Sequence, residues 1–162
     1  MQEIFDRTLV SIMGRRGCED AVRGILEEIL SCSVPEPGCY CNGKFEAFWI
    51  GQSQWMIRAQ DSQFDIVSIF SERFQNIASI TEQTDGWCQF SISGQKLHRL
   101  CSLLCNIDTR SFEVGMVSRT SIEHISCYVL MLADNEILII GPRSYAGSLL
   151  HAINSAAKSV PY

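Results

Sequence analysis

Apolar positions along this chain recur at two spacings, every second residue and every third or fourth, and the switches between them mark out elements. Thr8 to Met13 alternates and stops at Gly14, which predicts a strand with Val10 and Ile12 on one face. Glu19 to Leu30 places Val22, Ile25, Leu26 and Ile29 at helical spacing with acids at its start. The Val34-Pro-Glu-Pro-Gly38 segment cannot continue that helix, because proline lacks an amide hydrogen and biases its predecessor to extended backbone; a loop is expected to Lys44. Phe45 to Ile50 and Trp55 to Ala59 read as two strands of a hairpin turning at Gly51-Gln-Ser-Gln54. A second helix is expected over Phe64 to Phe74 and a strand over Ile77 to Thr84.

The order strand, helix, strand, strand, helix, strand is that of the split unit of ferredoxin-like folds. The second half opens the same way. Trp87 to Ser93 alternates with Cys88, Phe90 and Ile92 inward, and Leu97, Leu100, Cys101, Leu104 and Cys105 then form a helical stripe. Strands are expected over Gly115 to Thr120, Ile125 to Leu132 and Glu136 to Ile140, the last two joined at Ala133-Asp-Asn135. A closing helix begins at Pro142-Arg143 with Tyr145, Leu149, Ala152, Ile153 and Ala156 inward. The expected fold is therefore α+β, a single domain over 1–162 made of two interlocked ferredoxin-like halves, about 1–84 and 85–162.

Composition narrows the function. The net charge of -5, with 13 basic residues scattered in ones and twos, offers no footprint for a phosphate backbone, so nucleic acid is not an expected partner. A charged fraction of only 19% points to surface covered by partners. No apolar run reaches the roughly 20 residues that cross a bilayer, and Met1-Gln-Glu-Ile-Phe-Asp lacks a basic segment followed by an apolar one, so a cytoplasmic protein is expected, without membrane contact. In that compartment the eight cysteines are expected as reduced, mostly buried thiols. Cys39-x-Cys41 and Cys101-x-x-x-Cys105 lack the spacing of zinc knuckles, so no metal is expected.

No motif pairs a nucleophile with a base, His98, His124 and His151 lie far apart, and no glycine-rich phosphate loop follows a strand; no catalytic residue and no cofactor of this chain's own is expected. Asp85, in Thr84-Asp85-Gly86-Trp87, reads either as a turn residue or as a carboxylate presented to a ligand. Trp49, Trp55 and Trp87 at strand ends read as core, subunit contacts or ligand platforms. Arg143 at a helix head opposes the helix dipole and calls for an acidic partner, in another subunit or within the chain. Trp55, Trp87, Arg143 and Tyr145 are the interface candidates.

Four segments carry a family resemblance: Trp49-Ile-Gly-Gln-Ser-Gln-Trp55; Thr84-Asp85-Gly86-Trp87 leading to Ile92-Ser-Gly94; Asp108 with Phe112, Gly115 and Thr120; and Arg143-Ser-Tyr-Ala146 with Leu149. Through them most of the chain resembles the gamma subunit of heterotetrameric sarcosine oxidase, itself similar to the N-terminal folate-binding region of aminomethyltransferases. The resemblance implies a complex of alpha, beta, gamma and delta subunits that oxidises sarcosine to glycine, passes the one-carbon unit to tetrahydrofolate and reduces oxygen to hydrogen peroxide. It implies FAD, FMN and NAD in alpha and beta, zinc in delta, and a gamma subunit without a cofactor. Where active aminomethyltransferases carry paired aspartates before a strand, this chain has Ile122-Glu123-His124-Ile125, which leaves Asp85 and Glu123 as its folate candidates. The alternatives are a stand-alone folate-binding module, a complex acting on another N-methyl amino acid, and a small-molecule sensing domain, since one fold hosts many functions.

Overall fold

The computed structural model describes residues 1–60 and 65–160; the expected start of the second helix at Phe64 lies outside them. Two compact units divide the chain, Asp6–Thr84 and Met1–Phe5 together with Asp85–Tyr162. The architecture is α+β, with two antiparallel sheets of five strands each among the described residues.

In the unit Asp6–Thr84 the elements are β2 (Arg7–Gly14), α1 (Glu19–Leu30), β3 (Tyr40–Asn42), β4 (Glu46–Gly51), β5 (Gln54–Gln60), α2 (Ile66–Arg73) and β6 (Ala78–Glu82). The sheet order β3-β4-β5-β2-β6 puts the first strand beside the last, which is the split βαβ arrangement with one extra edge strand. That strand, β3, falls where the sequence led us to expect loop, because three residues are too few to show alternation. Asp65 sets the start of α2: its carboxylate accepts from the Ser68 amide at 3.1 Å and the Ser68 hydroxyl at 2.6 Å. Val10, Ile12, Val22, Leu26, Ile57 and Phe70 are fully buried in this unit's core.

The other unit contains β1 (Gln2–Ile4), β7 (Trp87–Ser93), α3 (Leu97–Leu104), β8 (Val117–Ile122), β9 (Ile125–Ala133), β10 (Glu136–Pro142) and α4 (Ala146–Ser159). Its sheet runs β1-β7-β10-β9-β8. The topology repeats that of Asp6–Thr84 element for element, with one difference: the last strand comes not from after α4 but from the chain's first residues, where Glu3 pairs with Phe90 and Ile4 with Gln89. The expectation of a half spanning all of 1–84 is corrected at this point, since residues 1–5 belong with the later half. Phe90, Ile92, Val129, Ile137 and Ile139 turn to the helices and meet Leu97, Leu100, Leu149 and Ile153.

Close approach of α4 to the sheet depends on Gly141, where a Cβ would stand 2.4 Å from Leu149 Cδ1 and 3.1 Å from Cys127 Sγ. Leu149, Ala152 and Ile153 form the inner face of α4 as expected, but Tyr145 does not. It ends a 3-10 turn (Arg143–Tyr145) ahead of the helix and is 52% exposed.

Candidate functional site

The residues that the sequence marks out fall in three places. Trp55 lies in β5 at 1% exposure, its indole Nε1–H donating to the Pro35 carbonyl at 3.0 Å and its ring facing the Arg23 guanidinium at 5.9 Å. Arg23 also pairs with Glu36. Trp55 therefore anchors the proline loop from inside, which corrects its assignment as an interface residue: the ring is spent on its own unit's core.

Trp87, Arg143 and Tyr145 come together at one end of the β1-β7-β10-β9-β8 sheet. Trp87 opens β7 opposite Pro142, so the turn that bears Arg143 and Tyr145 departs next to it. The Trp87 ring is half-buried and tilted against Tyr128 at 5.7 Å, with the Arg119 guanidinium 5.8 Å from the Tyr128 ring. Burial raises the Tyr128 hydroxyl above its ordinary value, and the Arg119 charge partly opposes this. Arg143 Nη1–H donates to Glu3 Oε1 at 2.8 Å and the guanidinium lies 5.9 Å from the Phe5 ring. The acid that Arg143 requires is thus in the same chain. Phe5, at 71% exposure, and Tyr145 project beside it. Below them Cys88 Sγ contacts the Gly141 carbonyl at 3.3 Å, and burial raises that thiol's pKa while the Arg143 charge lowers it.

The folate candidates also leave this end of the sheet, apart from one another. Asp85 sits exposed in a 3-10 turn (Thr84–Gly86) before β7. Glu123 and His124 are the two turn residues of the β8–β9 hairpin, between paired Ile122 and Ile125, with φ of 49° and 67°. Two successive positive φ values are the backbone of a type I′ turn, whose twist suits a two-residue hairpin. Asp85 leads into β7 and Glu123 joins β8 to β9, and β10 lies between β7 and β9, so the two carboxylates leave strands that are not neighbours. Glu123 instead borders a groove of about 240 Å³ with Leu103, Leu104, Ala152 and Ser155. His98, His124 and His151 are all exposed.

Among the described residues no three His, Cys, Asp or Glu side chains are grouped to hold a metal ion. A cleft of about 740 Å³ opens between His98, Arg110, Phe112, Glu113, Met131 and Asp134, a grouping that the sequence does not announce. It went unseen because it joins a helix, the segment before β8 and the β9–β10 turn, which no local pattern links. The buried cation Arg58, 4% exposed and paired across the strands with Glu46, was missed likewise, since its alternation partner is visible only in register.

No family model matches the sequence, and no curated protein does. Solved structures do. A chain of heterotetrameric sarcosine oxidase from Corynebacterium sp. U-96, solved in complex with pyrrole 2-carboxylate, superposes with a TM-score of 0.86 at 14% identity, covering 99% of this chain and 85% of that one. The glycine cleavage system aminomethyltransferase T from Bartonella henselae superposes with a TM-score of 0.69 at 8% identity over 95% of this chain. This chain spans 45% of that transferase. The fold is thus the one that the resemblance implies. No helix among the described residues is long and apolar enough to cross a membrane.

Proposed function

We propose that the chain is a non-catalytic, gamma-type subunit of a sarcosine oxidase complex. The observation that carries this reading is the TM-score of 0.86 over 99% of the chain, with 85% of the neighbour's chain covered, so the likeness extends over nearly a whole subunit. The departure of Asp85 and Glu123 from strands that are not neighbours supports the same reading over an independent folate module that would use the two as one site. In this proposal alpha and beta hold FAD, FMN and NAD, alpha takes tetrahydrofolate, delta holds zinc, and this chain supplies surface. The product of the complex is glycine, with hydrogen peroxide released.

Co-expression with the alpha, beta and delta subunits of the same genome tests it. The expected result is stoichiometric co-elution of all four and sarcosine-dependent peroxide release. On its own the chain should elute colourless and show no folate binding by calorimetry. Elution apart from the other three, with micromolar folate affinity that Asp85→Ala removes, would replace this reading with the stand-alone folate module.

A further inference from the structure

Of the eight cysteines, three are buried, four are partly buried and Cys39 alone is exposed, a departure from the buried-thiol expectation that follows from its place at the entry to β3. Two of the partly buried ones meet. Cys32 Sγ and Cys41 Sγ are 2.8 Å apart, about 0.8 Å more than an S–S bond. The backbone holds them there from both sides. Helix α1 ends at Ser31, whose φ of 56° turns the chain so that Cys32 follows directly, and Cys41 is the middle residue of β3. The β3–β4 turn is fastened to the same helix end: the Lys44 amide donates to the Leu30 carbonyl at 2.8 Å, and Gly43 fits so closely that a Cβ would stand 2.1 Å from that oxygen and 3.0 Å from Cys32 Sγ.

We infer that Cys32 and Cys41 are an oxidative modification site, a thiol pair that a peroxide converts reversibly to a disulfide fastening edge strand β3 to the end of α1. The inference concerns the chain's own thiols and does not depend on the proposed assembly. The thiolate of one cysteine attacks a peroxide oxygen and breaks the O–O bond, giving a sulfenic acid and water. The second sulfur then attacks the first, an S–S bond forms, and a second water leaves. The two thiols lose two electrons and two protons, and hydrogen peroxide takes up both to become two waters. Burial and the neighbouring Cys32 push the Cys41 thiol up to about 12, so it stays protonated at neutral pH.

The sulfurs have only about 0.8 Å to close, and the bond closes a loop that already contains two prolines, Pro35 and Pro37. Closing so short a loop raises the melting temperature of a chain of this size by roughly 5–10 °C. The test is peptide mapping of the full chain under non-reducing conditions, before and after hydrogen peroxide. The expected product is a Cys32–Cys41 linked peptide that dithiothreitol reverses, with the rise in melting temperature lost in Cys32→Ser and in Cys41→Ser and kept in Cys39→Ser. A dominant cross-link through Cys39 overturns the inference. So does sulfinic acid at Cys32 with Cys41 still open to alkylation.

Discussion

Arg143 and Glu3 form an ion pair at 2.8 Å across 140 residues of sequence, joining the turn before α4 to the first strand. Their side chains keep 39% and 26% exposure, so solvent screens the attraction. Arg143→Ala should lower the stability of the isolated chain by about 1 kcal/mol or less, from the pair and the loss of the Phe5 ring contact together. A double-mutant cycle with Glu3→Gln measured by chemical denaturation should give a coupling of about 0.5 kcal/mol. Additive effects of the two changes would mean that the pair is not formed in solution. If this surface also seats a partner subunit, Arg143→Ala weakens co-elution more than it lowers melting.

Gly141→Ala should destabilise the chain by about 1–3 kcal/mol, because the new methyl meets Leu149 Cδ1 at 2.4 Å inside a packed core. The denaturation midpoint should fall with an unchanged slope. Leu149→Ala, costly alone, should cost less when combined with Gly141→Ala, and the shortfall from additivity measures the clash.

Glu123 and His124 occupy a turn that favours asparagine and glycine. Replacing the pair by Asn-Gly should raise stability by about 0.5–1 kcal/mol, the left-handed strain relieved at His124 outweighing the freedom that glycine adds to the unfolded chain, and leave the proposed assembly intact. A loss of stability on that exchange would show that Glu123 contributes more to the groove beside α3 and α4 than its turn geometry costs.

Burial pushes the Cys101 and Cys127 thiols from 9.0 to about 12. For a raised folded pKa, the associated stability is fully present below the unfolded value and lost as pH climbs through the folded one. The chain should therefore hold its stability up to about pH 9 and lose it progressively toward pH 12, a window that a melting series in buffers of rising pH resolves. At pH 8 iodoacetamide should label Cys39 and spare Cys101 and Cys127 until the chain is unfolded.

Long periodic elements were legible in the sequence, and short or non-local ones were not. Helix α1 runs over Glu19–Leu30 and strand β7 over Trp87–Ser93, as the spacing of their apolar residues predicts. Strands β1 and β3, three residues each, are too short to carry a pattern of their own, and β1 pairs with β7 far along the chain. Trp55 and Trp87 look alike as aromatic residues at the starts of strands, yet one is enclosed with its indole bonded to Pro35 and the other stands half-buried by the Arg143 turn. Which of them could meet a partner depends on what lies over each strand. Glu-His carries none of the usual I′ turn chemistry, so the β8–β9 turn was visible only in its backbone.

The position of β1 also bears on how this protein is made. Residues 2–4 leave the ribosome well before their pairing partners, Gln89 to Ser91, which are synthesised more than eighty residues later. By then Asp6–Thr84 has all its own strands and can fold, while the leading strand waits unpaired with its amides and carbonyls open to other nascent chains. A bulky fusion ahead of Met1 would burden that late pairing step, and should reduce soluble yield more than the same fusion placed after Tyr162.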